Sequence, residues 1–172
     1  MLQGRVFDQR GIPIAPDSPY TPRCLIFYYR ELQEESLIPF MEKVIYEDER
    51  IVVADKPHFL PVTPIGPYIQ ETLLVRLRNR LGLEHLSAVH RLDLETAGLV
   101  LFTKQVGLRN TYAALFREQL VKKIYQAIAP YRPSLSLPIT RSSRIERADR
   151  FMQMQEVLGQ ANAHTLIRIL DQ

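Results

Sequence analysis

The chain has 172 residues, 46% hydrophobic and 24% charged, enough for one domain with a sizeable core, alone or with a small appendage. Its longest uncharged apolar run, around Ala97–Thr103, is far below the ~20 residues a membrane-spanning helix needs, and Met1-Leu2-Gln3-Gly4-Arg5 offers no apolar signal region, so neither insertion nor export is expected. A single cysteine, Cys24, excludes an intrachain disulfide and a cysteine-based zinc cluster and fits a reducing cytoplasm, while a net charge of +3 does not by itself mark a nucleic-acid binder.

Residues 1–40 read as an N-terminal extension. Pro13, Pro16, Pro19 and Pro22 punctuate a turn-rich stretch, and Leu25–Tyr29 is an aromatic, apolar run expected to form a strand. Cys24, just before it, reads as a small buried side chain. Glu31, Glu34 and Glu35 then lead to Pro39 through a linker or edge segment. The core is expected to start near Val44. Val44–Tyr46 and Ile51–Ala54 flank the polar Glu47–Arg50 as two short strands around a tight turn. Pro57, Pro61, Pro64 and Pro67 stiffen the next loop, each fixing its own φ and restricting its predecessor.

From Gln70 to Leu81 the apolar spacing becomes helical through Leu73, Leu74, Leu77 and Leu81, with Gly82 as the stop. Arg76, Arg78 and Arg80 read as a solvated helix face. Gly98–Thr103 is a continuous apolar run, expected to be a central strand. Leu108, Tyr112, Leu115 and Phe116 mark a second amphipathic helix. Lys123–Ala129 alternates as a strand would. Pro130, Pro133 and Pro138 then break the pattern, residues 139–150 are polar and arginine-rich, and Thr165–Leu170 begins another strand. Strands outnumber helices, which points to an α+β class with a mixed or antiparallel sheet core and flanking helices. A strand at the terminus needs a neighbour, so the domain is expected to continue beyond Gln172.

Charge is unevenly distributed. Between Ile69 and Arg132 stand 10 Lys/Arg against 5 Asp/Glu, a local +5 and the natural place for a phosphate-tracking surface. Within it, His90-Arg91-Leu92-Asp93-Leu94-Glu95-Thr96-Ala97-Gly98 places an imidazole, a guanidinium and two carboxylates just before an apolar strand. Loops at the mouth of a rigid strand frequently carry function. The residue types supply a nucleophile or base, a cation and a glycine that permits close approach. The bland alternative is a polar loop closed by an Asp–Arg salt bridge. Paired-carboxylate chemistry requires Asp93 and Glu95 to face one pocket. No metal is expected: His58, His85, His90 and His164 are scattered without ligand spacing.

The stretch Val89–Lys104 resembles the signature of the RluA-type pseudouridine synthases: H-R-L-D, two variable residues, T-[SA]-G, an apolar strand, then a lysine. Upstream, Ala54-Asp55-Lys56-Pro57 and Leu60-Pro61-Val62 resemble the family's D-K-P-x-G-L-x-V motif, and downstream Val121–Ala127 resembles V-x-K-x-Y-x-A. The resemblance covers roughly residues 42–130. His58 and Phe59 depart from it where the family often has a small residue and glycine. The family's late basic motif, with its H-Q-[LI]-R-[VL]-H-like helix start, has no match after Ala129, so the catalytic domain, residues 41–172, is expected to be partial.

The resemblance implies a pseudouridine synthase-like catalytic domain that isomerises uridine in structured RNA, ribosomal or transfer. It implies Asp93 as the essential carboxylate, Arg91 as the residue that displaces the flipped nucleotide, and Tyr125 as the ring against the target base. His90, Lys56, Lys123, Thr96 and Gly98 are expected to support the loop and its electrostatics. An ionised Asp93 needs a nearby cation, which the family draws from the late motif. No cofactor is expected, because uracil stays bound and nothing is oxidised. The expected state is a cytoplasmic monomer. Residues 1–40, through Gly4–Asp8 and Gly11–Ile14, carry a faint hint of an appended RNA-binding domain. The competing readings are a non-catalytic RNA-binding module and a carboxylate hydrolase that would release free uracil.

Overall fold

The computed structural model describes residues 6–28, 35–150 and 153–171. Gly4, Arg5, Tyr29, Glu31 and Glu34, used above, lie outside these. The chain divides into two compact units, residues 1–122 and 123–172.

The first unit opens with a two-stranded antiparallel ribbon, β1 (Val6–Asp8) against β2 (Ile26–Tyr28). The Asp8 carboxylate accepts the backbone N–H groups of Arg10 and Ile12, an aspartate turn that reverses the chain at Gly11, φ +78°. The expected strand is thus present. Cys24 is half-buried rather than buried, because β2 is exposed along its length and no core covers the segment.

The main sheet has four antiparallel strands in the order β3 (Lys43–Glu47), β4 (Ile51–Lys56), β6 (Gly98–Thr103), β5 (Ser87–Ala88). The polar stretch between β3 and β4 turns as expected. Asp48 Oδ1 accepts the N–H groups of Arg50 and Ile51, each at 2.7 Å. Gly98–Thr103 is an interior strand, flanked by β4 and β5. Residues opposite one another share a face: Val52 with Phe102, Ala54 with Val100, Lys56 with Gly98. The first five of these are the sheet's inner face down to Lys56, and Val52, Ala54, Lys56, Val100 and Phe102 are all fully buried.

Helix α1 (Leu73–Leu81) adds Leu73, Leu74 and Leu77 to the same apolar cluster, joined by Leu60, Val62 and Leu86. It starts three residues later than its spacing predicts. Thr72 adopts an extended cap conformation and its hydroxyl accepts the Val75 N–H, while the Glu35 carboxylate takes the N–H groups of Gln70 and Glu71. The next donors, on Leu73 and Leu74, reach Pro61 and Val62 carbonyls in the proline loop, so the helix's first turn is satisfied by that loop. Gly82 ends the helix in the left-handed region, φ +66°. Truncating the fully buried Leu77 to alanine should cost about 2–5 kcal/mol, read as a lowered urea midpoint.

The arginines of α1 are not a solvated face. Arg76 bonds the carbonyls of Ile38 and Phe40 and pairs with Glu71 and the buried Glu42. Arg78 bonds the Leu86 carbonyl, and Arg80 pairs with Glu42. Their guanidinium groups bind residues 38–42 and 86 onto the helix, so all three are engaged within the protein. The Arg76 hydrogen bond holds the Glu71 carboxyl below the ordinary 4.5. A carboxyl lowered on folding contributes stability above 4.5 that is lost as pH falls through its folded value. Glu71→Gln should therefore flatten the loss of stability below pH 4.5, checked by urea unfolding across that range.

A short 3-10 turn (Val106–Leu108) leads into α2 (Arg109–Arg117), the second expected helix. No described helix is long and apolar enough to cross a membrane.

The second unit is a three-stranded antiparallel sheet, β8 (Met154–Val157), β7 (Ile139–Arg147), β9 (Ala163–Ile167). One expectation is corrected here. Lys123–Ala129 forms no strand among the described residues: it has no ladder partner, and Ile124, Tyr125 and Ile128 are exposed. The polar, arginine-rich segment after the prolines, to which the sequence assigned no element, holds the central strand β7. Arg141 pairs with Glu156 across the ladder, and the Asn162 amide both accepts the Ile145 N–H and donates to its carbonyl. The last strand begins two residues earlier than Thr165. The class is α+β, and every named strand pair is antiparallel.

Candidate functional site

The loop from Val89 to Ala97 connects β5 to β6. It begins by prolonging the sheet edge. The Val89 N–H donates to the Leu101 carbonyl, and the Leu101 N–H donates to His90 Nε2 at 3.1 Å. An accepting Nε2 is unprotonated, so a neutral ring carries its proton on Nδ1. The imidazole also stacks on Phe116, centroids 4.4 Å apart and 25° between planes. His90 therefore joins the loop, β6 and α2.

Past His90 the chain emerges. Arg91, Asp93, Leu94 and Glu95 are exposed, whereas Leu92 packs against the apolar cluster. The Thr96 N–H donates to the Asp93 carbonyl, closing a tight turn that presents the Asp93 side chain. Among the described residues the Asp93 carboxylate makes no ion pair, so the closed Asp–Arg salt bridge is absent. Gly98 then enters β6 at φ +131°, a backbone conformation that disfavours any side chain.

Three contacts fasten this turn to residues 56–60. Lys56 ends β4 directly across from Gly98, and its side chain is wholly buried. Its Nζ donates to the carbonyls of Pro57 (3.0 Å), Leu60 (2.8 Å) and Leu94 (3.2 Å). An ammonium has three donors, and all three are used. The Phe59 N–H also donates to the Leu94 carbonyl at 2.8 Å, and His58 Nδ1 meets the Glu95 carbonyl at 2.6 Å. Burial lowers the Lys56 pKa, opposed by the carboxylates of Glu95 and Asp93. A cation thus lies within electrostatic reach of Asp93 from the upstream motif.

Lys123 and Tyr125 belong to the second unit, where both are exposed on an extended segment. The structure brings together Lys56, His90, Arg91, Asp93, Thr96 and Gly98 in the first unit. Sequence reasoning gave Lys56 a general supporting role and treated His58 and Phe59 only as departures. Phe59 has φ +64°, so the glycine at that place in the resembled motif was the usable signal of a left-handed backbone. No group of three or more His, Cys, Asp or Glu able to hold a metal ion occurs among the described residues.

A family model described as RNA pseudouridylate synthase matches residues 50–172, including residues 131–172 beyond the motif resemblance. An uncharacterized RNA pseudouridine synthase of Synechocystis sp. is 31% identical over 126 residues, covering 73% of this chain and 43% of that protein. Another, from Helicobacter pylori, is 38% identical over 88 residues, 51% of this chain and 30% of the relative. Ribosomal large subunit pseudouridine synthase D of Pseudomonas aeruginosa is 35% identical over 104 residues, 58% of this chain and 32% of the relative. The chain spans less than half the length of these curated relatives. With the matched family model covering most of its length, the chain belongs to the RNA pseudouridylate synthases, RluA type.

Proposed function

We propose that this chain is the catalytic core of an enzyme that isomerises uridine to pseudouridine in structured RNA, with Asp93 as the reacting carboxylate. The observation that carries this reading is the Asp93 side chain itself: exposed, free of any ion pair among the described residues, and held on a turn tied down by buried Lys56. The named relative of Pseudomonas aeruginosa favours large-subunit ribosomal RNA over transfer RNA as the substrate.

The reaction breaks the N1–C1′ bond of uridine, rotates the uracil, forms a C5–C1′ bond and moves one proton from C5 to N1. A stacked base cannot turn, so the nucleotide first leaves the helix at a cost of a few kcal/mol. Arg91 fills the vacated space and meets phosphate; stacking of the extruded base on an aromatic ring, the part the family resemblance implies for Tyr125, is worth about 1–3 kcal/mol. Asp93 then attacks C1′ or removes a ribose proton. Both routes return the carboxylate unchanged, and neither needs a cofactor. Lys56 supplies positive potential to the turn through a buried position that substrate does not touch.

The test is nucleoside mapping of ribosomal and transfer RNA, by chromatography and mass spectrometry, from cells with and without the gene. Loss of pseudouridine at defined sites, restored by the intact gene, supports the reading. Unchanged RNA ends it, and free uracil released from RNA by the protein would identify a hydrolase instead.

A further inference from the structure

The geometry points to Phe59, backed by Phe40 and flanked by His58, as a stacking platform for an unpaired nucleobase of the RNA next to the extruded uridine. The inference rests on the assignment of Asp93 above and extends that site. Phe59 is 53% exposed and Phe40 48%, with ring centroids 6.3 Å apart and planes inclined by 41°. The exposed His58 ring has its centroid 6.0 Å from that of Phe59.

Three observations favour a nucleobase over ordinary packing. First, the platform is fixed to the Asp93 turn. The Phe59 N–H is bonded to the carbonyl of Leu94, Asp93's neighbour, and His58 Nδ1 to that of Glu95. The main chain of Phe59 is thereby held against the turn that carries the reacting carboxylate. Second, Phe59 holds φ +64°, a conformation rare for a bulky residue and tolerated where surrounding structure imposes it, commonly at functional sites. Glycine would satisfy that backbone without strain, so the ring is not there for the turn. Third, the platform is rigid on its far side, since Arg76 anchors the Phe40 carbonyl to α1 at 2.9 Å. Proteins recognise unstacked RNA bases with such rings, because every base has a π-face.

The experiment uses the full chain and a hairpin RNA whose loop carries 2-aminopurine beside a uridine. Affinity and 2-aminopurine fluorescence are read separately from pseudouridine formation. Phe59→Gly, which suits the left-handed backbone, and Phe59→Leu, which keeps an apolar side chain, should each weaken binding roughly 5- to 100-fold and abolish the fluorescence quenching. Phe59→Trp should retain both. Wild-type affinity and quenching in the glycine and leucine variants overturn the platform while leaving the Asp93 assignment intact. Sedimentation showing that the wild-type chain self-associates through Phe59, and that Phe59→Gly is monomeric with unchanged RNA affinity, would also overturn it. The Asp93 assignment is decided separately, by pseudouridine mapping of cellular RNA, which these affinities do not touch.

Discussion

Asp93→Asn should abolish pseudouridine formation, lowering kcat by roughly 10^4-fold or more, while leaving RNA affinity within a few-fold. Asparagine matches aspartate in shape, so the turn closed by the Thr96 N–H on the Asp93 carbonyl is preserved. What is lost is the charge and lone pair that, in the proposed reaction, attack C1′ or take a ribose proton. The side chain makes no ion pair among the described residues, so its replacement strands no buried partner and should leave the urea midpoint nearly unchanged. Cells carrying only the variant should show the same missing pseudouridines as cells without the gene. Normal modification by Asp93→Asn removes the catalytic assignment.

The second large effect is expected at Lys56. Lys56→Met keeps most of the buried volume but withdraws three hydrogen bonds at once. The carbonyls of Pro57, Leu60 and Leu94 lose a charged donor; the buried Leu60 oxygen is left unsatisfied, at about 1–3 kcal/mol, the half-buried Pro57 oxygen costs less, and the Leu94 oxygen keeps the Phe59 N–H. Part of this is returned because a buried ammonium is itself expensive, as its lowered pKa records. A net loss of roughly 2–4 kcal/mol is expected, measured by urea unfolding. Activity should fall further than stability explains. The turn bearing Asp93 loses one of the two donors on the Leu94 carbonyl, keeping the Phe59 N–H, and misplacement of about 1 Å can cost 10^2-fold in rate. A variant as active as wild type at a temperature where both are folded would show that Lys56 serves the fold alone.

The sequence showed the first unit better than the second, for physical reasons visible in single residues. Leu73, Leu74 and Leu77 bury one stripe of α1 beneath a sheet, so their spacing carried the helix, and Gly82 marked its end. The apolar run of β6 reported a strand covered by neighbours on both edges. In the second unit no comparable burial disciplines the pattern. β7 is exposed at most positions and held by Arg141–Glu156 and by the Asn162 amide, neither of which leaves a period in the sequence. Lys123–Ala129 shows the converse error, since its alternation had no ladder to join. At the site, the motif gave the residue types around Asp93 but not their fastening. Three carbonyls converging on Lys56, from residues 57, 60 and 94, are a property of the folded backbone.

That fastening runs through main-chain oxygen atoms. Leu94 and Glu95 contribute carbonyls to Lys56, Phe59 and His58, which any amino acid could offer equally well. Their side chains, both exposed, take no part in those hydrogen bonds one and two places after Asp93, although the Glu95 carboxylate still favours the charge on Lys56. These are the two positions that the resembled signature leaves open. Substitution at either place should leave the turn's hydrogen bonds standing, because they depend on the backbone and not on what is written there.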